Sequence, residues 1–339
     1  MNTLYVRGHQ AHIGLQKDAL IVSDPDVGKS KVPLAALDSV VLLGNGQMST
    51  QALARCTERS IRVSSLRRGG KLRFTVGGPV DGSVHLRVAQ LRRHEDADAR
   101  AVLSRTIVAG KLQNCRRLLK RWAWDARGED RHALEVLHQR ITERLSRLPF
   151  AESGDAIRGV EGDGTRWYFE GLALHLADQS AELRYSSRSR RPPRDPVNAL
   201  LSFTYSLLLT EIVGALDAVG LDPQIGFLHG VRSGRPSLAL DMLEEFRPAI
   251  ADRFVVRLLK LRILREGHFT STLGGACYLS DEGREVFLRE YEKSRDEELA
   301  HRILGRAIPR WTLPQVQATL MARHLRGDLP EYPPYISEP

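Results

Sequence analysis

His229, Asp241, Glu244 and Glu245 lie within twenty residues of one another, in the segment HGVRSGRPSLALDMLEEFRP at 229–248. Ser237 can cap a helix there, and positions 241, 244 and 245 then share one face, because residues three and four apart are neighbours on a helix. Leu238, Met242 and Phe246 repeat every four residues and form the opposite, apolar stripe. Acids gathered on one face repel each other and call for a cation. A hard divalent ion such as Mg2+ or Mn2+, which prefers carboxylate oxygen, meets that need. Glu161, in GVEGDGTRWYF at 159–169, stands at the entry to a helical pattern. By itself it reads as a carboxylate favourable to the helix dipole.

Elements to position these groups follow from the hydrophobic pattern. Thr3–Val6, Ala19–Val22, Ser39–Leu43, Ile61–Ser64 and Lys71–Val76 are short β-branched or apolar runs between Gly, Asp and Pro, hence strands. A short helix, Ser49 to about Glu58, interrupts them. GNG at 44–46 completes neither a dinucleotide fingerprint nor a Walker motif, so it reads as a tight turn. Beyond a Gly-, Pro- and Asp-bearing linker the spacing becomes helical, over 85–122, 129–148, 161–177, 196–219, 236–247, 250–265, 281–303 and 313–325. The expected class is α+β. Residues 1–76 form an N-terminal β-rich domain and candidate dimerisation surface, and 77–84 a linker. Residues 85–326 form a larger all-α catalytic domain, and 327–339 a Pro-rich extended tail that either docks on a neighbour or does nothing.

At 339 residues the chain is long enough for two cores, and 42% apolar with 27% charged residues describes a globular protein. Its net charge of +9, carried mostly by arginine, suits a polyanionic partner. Residues 81–150 hold 15 Lys and Arg against 9 Asp and Glu, which fits a solvated helix face better than a DNA track. Cys56, Cys115 and Cys277 form no CxxC pair and sit among apolar neighbours, so they read as core residues in a reducing cytoplasm. No signal-peptide pattern opens the chain, and no apolar run approaches the roughly 20 residues needed to cross a bilayer. A cytoplasmic protein is expected.

RYSSRSRRPPRDP at 184–196 places Arg184, Arg188, Arg190, Arg191 and Arg194 before any acid. Such a segment is either a disordered linker or a phosphate clamp. DPVNALLSFTYSLLLTEIVGAL follows, capped by Asp195 with Pro196 at its first position. It is the expected buried centre of the helical domain, with Asn198 and Tyr205 as satisfied core groups.

EGDGTRWYF, RPPRDPVNALLSFTYSLL and GFLH…RPSLALDMLEEFRP, in that order, resemble the Cas-one family of CRISPR-associated integrases over nearly the whole chain. The opening NTLYV and closing YPPYI resemble the version found in type I-C systems. The resemblance implies an N-terminal β domain and a C-terminal helical domain, homodimers bridged by a Cas-two dimer, and use of Mg2+ or Mn2+. A Cas-four partner is common in such systems. It further implies metal ligands at Glu161, His229 and Glu244, with Asp241 nearby and able to join through water. Glu245 is left to pair with an arginine such as Arg247. Where the family often has two alanines after EG, this chain has Gly164 and Thr165, which lowers helix propensity by up to about 1 kcal/mol.

The implied chemistry is in-line attack of a 3′-hydroxyl of double-stranded protospacer DNA on a phosphodiester at a CRISPR repeat end. With water as nucleophile the same site is a nuclease. Arg166, Arg190, Arg191 and Arg235 are candidate phosphate contacts. Two other readings remain: a non-catalytic helical DNA-binding scaffold whose acids pair with arginines, and a metal-dependent branched-DNA repair nuclease.

Overall fold

The computed structural model describes residues 3–7, 10–25, 28–67, 72–78, 84–180, 183–185, 187–189 and 192–338. The chain divides into two compact units, Met1–Asp81 and Gly82–Pro339.

The first unit holds β1 (Thr3–Arg7), β2 (His12–Gln16), β3 (Ala19–Asp24), β4 (Gly28–Pro33), β5 (Ser39–Leu43), β6 (Gln47–Met48), α1 (Thr50–Glu58), β7 (Arg62–Leu66) and β8 (Leu72–Val76). One sheet runs β1-β5-β7-β8, parallel except for β8, and the other runs β4-β3-β2-β6. Val6, Ile13, Leu20, Val40, Leu42, Ala52, Cys56 and Val63 bury a common core. Ala52 and Cys56, four apart, are the face of α1 that enters it, and Ser49 caps the helix through Ala52 N–H. Gly44, at φ 102°, makes the turn after β5 where an L side chain is strained. The expected strands are all present. Strands β2, β4 and β6 are additional; β4, GKSKVP, is an exposed polar edge with no apolar signal to read.

The second unit is built from α2 (Val84–Glu95), α3 (Ala97–Asp125), α4 (Gly128–Arg147), α5 (Gly154–His175), α6 (Pro196–Val219), α7 (Ser237–Phe246) and α8 (Arg253–Lys260), followed by α9 (Asp281–Arg295) and α10 (Leu313–Arg326). It is not all-α. Hairpins β9 (Phe269–Ser271) with β10 (Cys277–Leu279), and β11 (Glu298–His301) with β12 (Arg306–Pro309), interrupt the helices. The helix expected over 281–303 therefore ends at Arg295 and the chain reverses. The one expected over 85–122 is two, because Asp96 accepts from the N–H groups of Asp98 and Ala99 and starts a new helix.

Helix α6 is the centre. Asp195 caps it, accepting from Asn198 N–H at 2.8 Å, and Gly220 ends it in the left-handed conformation. By length and composition it could cross a membrane, which corrects the expectation that no apolar run reaches that length. Here it is mostly buried as a core helix. Asn198 is satisfied by Arg188, Ser189, Ser187 and Asp195, and Tyr205 by Asp252.

Between α7 and α8, residues Arg247–Asp252 form a π turn. Pro248 has no N–H to give to the preceding turn and its ring crowds the carbonyl of Glu244, so the helix widens there instead of breaking. Asp252, the last residue of the turn, accepts from Tyr168 at 2.7 Å and Tyr205 at 2.6 Å.

The C-terminal segment does not wait for a neighbour. Tyr332, Tyr335 and Ser337 are buried in the unit's own surface. Asn114 of α3 donates to Glu245 O at 2.9 Å and Tyr335 O at 2.8 Å and accepts from Ser337 N–H at 2.9 Å, fastening the segment over the seam of α3 and α7.

Candidate active site

Glu161, His229 and Glu244 converge within the second unit, from three separate stretches of chain. Helix α5 starts at Gly154, capped by Ser153, so Glu161 sits two turns inside it and not at its entry. The dipole explanation for Glu161 thereby lapses, since that effect fades after the first turn.

The group that joins the acids is Lys111, in the buried stripe of α3 beside Ile107, Val108, Leu112 and Cys115. Its ammonium forms an ion pair with Glu161 Oε1 and lies 2.7 Å from Glu244 Oε2. The Lys111 and Glu244 side chains are each 4% exposed, that of Glu161 26%. Thr165, one turn on, donates to Glu161 Oε1 at 2.9 Å. Arg247 Nη1 lies 3.4 Å from Glu244 Oε1, with its guanidinium 4.8 Å above the Tyr205 ring.

Burial pushes the Glu244 carboxyl up, but Arg247 and Lys111 outweigh it and hold it at about 2. Glu161 is likewise lowered, with burial opposing and Lys111 prevailing. Both acids are carboxylates at neutral pH.

His229 reaches the cluster by another device. Asp241, fully buried, accepts from the backbone N–H groups of Phe227 (2.6 Å), Leu228 (3.1 Å) and His229 (2.9 Å), and its Oδ1 lies 2.7 Å from His229 Nδ1. Those four interactions fill a carboxylate's acceptor positions. With the proton on Nδ1, the lone pair of Nε2 faces Glu244 Oε1 at 4.0 Å. Asp241 thus fastens the loop and the His229 ring through these contacts. Gly226 is required by the same turn, because a Cβ there would lie 2.9 Å from Asp241 Oδ2 and closer still to Ser237.

Three expectations for α7 fail, the first being that Asp241, Glu244 and Glu245 gather on one face, since each meets separate partners. Ser237 does not cap the helix; its hydroxyl donates to Gly230 O at 3.0 Å and closes the loop that carries His229. Glu245 does not pair with Arg247. It points to the opposite side, accepting from Tyr332 OH (2.7 Å), Gln317 (3.2 Å) and Tyr335 N–H (2.8 Å), while Arg247 serves Glu244. Burial pushes its carboxyl up to about 8, partly offset by those donors.

Arg166 is exposed on α5, 3.4 Å from Asp163 and over the Trp167 ring. With Gly162, Thr165, Phe169 and Arg188 it lines a cavity of about 560 Å3 next to Glu161. Arg188 donates to Asn198 at 2.5 Å and Ser202 at 3.2 Å, so this part of the basic segment is folded against α6. Arg235 is half-buried in the loop before α7. Arg190 and Arg191 lie outside the described residues.

Among the described residues, no three His, Cys, Asp or Glu side chains stand close enough together to hold a metal ion as they are placed. The donor set nevertheless suits one. Two ionised carboxylates flank a cation already, and an imidazole nitrogen lies 4.0 Å from one of them, a set of oxygen and nitrogen donors that Mg2+ or Mn2+ takes. Lys111 escaped the sequence reading, as did the contacts of Arg247 with Glu244 and of Thr165 with Glu161. A lone lysine inside the apolar stripe of α3 was the available signal.

Fold and site define a two-unit α+β protein with an acid–imidazole cluster in its helical unit. The chain matches the family described as CRISPR associated protein Cas1 over residues 4–293, and it belongs to that family. It is 38% identical to CRISPR-associated endonuclease Cas1 1 of Moorella thermoacetica over 99% of this chain and 98% of that one. It is 36% identical to a Cas4/Cas1 fusion of Geobacter sulfurreducens, over 98% of this chain and 60% of that one. Among solved structures, a Cas1 protein from Thermotoga maritima matches at TM-score 0.82 and 23% identity, covering 100% and 99% of the two chains. A casposase bound to integration product matches at 0.84 and 22%, covering 99% and 94%. These last two likenesses show the fold.

Proposed function

We propose that this chain is the metal-dependent DNA integrase and endonuclease of CRISPR adaptation, inserting protospacer DNA at repeat ends by transesterification. The observation that carries the reading is the convergence of Glu161, Glu244 and His229 from α5, α7 and the loop before it, around one cationic centre. Membership of the Cas1 family supports it, as do relatives named as endonucleases and a structural neighbour titled a casposase bound to integration product.

Glu161, Glu244 and the Nε2 of His229 are the residues that would hold Mg2+ or Mn2+, which supplies Lewis-acid stabilisation of charge on the phosphate. The rest of the work belongs to the chain. Asp241 keeps His229 in the Nδ1–H tautomer. Arg247, together with Lys111 in the metal-free protein, keeps Glu244 ionised. Arg166 and Arg235, with Arg190 and Arg191, contact phosphates, and the cavity beside Glu161 receives the end of the incoming strand. Its 3′-oxygen bonds to phosphorus as the bond to the departing oxygen breaks. The hydroxyl proton is lost on one side and gained on the other, and the number of phosphodiesters is unchanged.

Double-stranded DNA, a second copy of this chain and a Cas-two dimer are the proposed partners. Solved assemblies of matching fold are titled Cas6-RT-Cas1–Cas2 complex and TtCas1-DNA complex. A Cas-four partner is supported by the fused relative. The domain assignment proposed is 1–76 for dimerisation and 85–326 for catalysis.

The test is strand transfer of a short 3′-OH duplex into a supercoiled plasmid carrying leader and repeat, with Cas-two and Mn2+, with and without EDTA. Metal-dependent joining, lost in Glu161→Ala, His229→Ala and Glu244→Ala while DNA binding persists, is the expected result. Binding without joining or cutting under any divalent metal would hand the case to the scaffold reading, which the Lys111 ion pairs favour.

A further inference from the structure

Lys111 is the single charged residue among the buried positions of α3, and no helix-packing argument calls for it there. It stands between a carboxylate of α5 and one of α7. Glu161 has the Thr165 hydroxyl, and Glu244 has Arg247 at 3.4 Å from its other oxygen. Without a cation between them, two carboxylates facing one another at a largely buried seam would repel, and α5 and α7 would be pushed apart. The ammonium is where a shared cation has to be.

We propose that Lys111 is a positioning residue that holds Glu161 and Glu244 together in the metal-free protein and must leave that place when a divalent cation binds. This rests on the metal-site reading above. An ammonium and a divalent ion cannot both occupy the point between the two oxygens, because like charges at that separation repel strongly in a poorly solvated site. Lysine is suited to the exchange. Its charge rides on a flexible four-carbon stem, whereas a guanidinium would lock both acids in a rigid fork. The open side of the cluster, at Glu161 and His229, is where the side chains are about one quarter exposed and where the head group can swing (26% and 24%). The site is thus assembled before metal arrives, and metal affinity is set by competition with an internal cation.

The experiment measures Mn2+ binding calorimetrically and melting temperature in EDTA and in Mn2+, for wild type, Lys111→Met and Glu244→Gln. Lys111→Met is expected to melt lower than wild type in EDTA and to recover most of the difference in Mn2+. Its Mn2+ dissociation constant should fall about tenfold or more, since the metal no longer displaces a competitor. Glu244→Gln should lose binding. A melting deficit in Lys111→Met that is equal with and without Mn2+ marks a purely structural lysine and overturns the proposal, as does unchanged or weaker Mn2+ affinity. If Lys111→Met does not fold in EDTA, Lys111→Gln is read by the same criteria. Wild type that binds no Mn2+ at all sinks the metal-site reading itself, and this proposal with it.

Discussion

His229 Nδ1 lies 2.7 Å from Asp241 Oδ1, and the same carboxylate gathers the N–H groups of residues 227, 228 and 229. One buried acid therefore sets both the path of the loop and the tautomer of the imidazole. Asp241→Asn replaces an acceptor oxygen with an NH2 that meets a donor. Joining activity should drop about 10- to 100-fold, as for other partners behind a ligating histidine, with DNA binding retained. Parallel strand-transfer and DNA-binding titrations check this; equal losses in both would assign Asp241 to folding alone.

Below about 6.5 His175, pushed down to about 4 by burial, opposes Glu245 and Asp252, and from there to about 8 stability should fall as pH rises. Burial raises Glu245 to about 8 and Asp252 to about 6, from ordinary values of 4.5 and 3.8. Across that window the folded protein keeps protons that the unfolded chain has released, so raising pH favours unfolding. Glu245→Gln should flatten the upper part of the melting profile, and Asp252→Asn should tilt the part below about 6 towards rising with pH. Profiles parallel to wild type would refute the assignment.

Tyr332→Phe removes the 2.7 Å donor to Glu245 Oε1 and leaves Gln317 to serve that oxygen alone. Urea unfolding should show a loss of about 1–2 kcal/mol. Deleting residues 330–339 should cost more, because Asn114 and Glu245 then lose several buried partners together.

Gly164→Ala should destabilise by about 1–3 kcal/mol, despite the better helix former, because the added Cβ would stand 2.5 Å from Leu112 Cδ2. Leu112 is fully buried and follows Lys111 directly, so its displacement shifts the lysine relative to Glu161. The check is chemical denaturation with strand transfer on the same preparation. Unchanged stability would mean that α3 and α5 can separate freely.

Local signals in the sequence determined much of this protein. Alternation and helical spacing are properties of neighbouring residues, so β1, β3, β5, β7 and β8, the short helix α1, the buried α6 and the apolar stripe Leu238–Met242–Phe246 could be read directly. Glu161, His229 and Glu244 could be brought together only through a family resemblance, since 83 residues separate the first and last of them. What tertiary structure alone decided is which charge meets which. Glu244 and Glu245 are adjacent in the chain, yet one is held at about 2 by Arg247 and Lys111 and the other is raised to about 8 beneath the C-terminal segment. Helical rotation turns the two side chains onto different faces. Partners from α3 and from residues 332–335 then make opposite environments from the same residue type. The lone lysine in the apolar stripe of α3 signals a buried charge but not its partners on α5 and α7, because electrostatics acts through space and spacing along the chain records only one helix at a time.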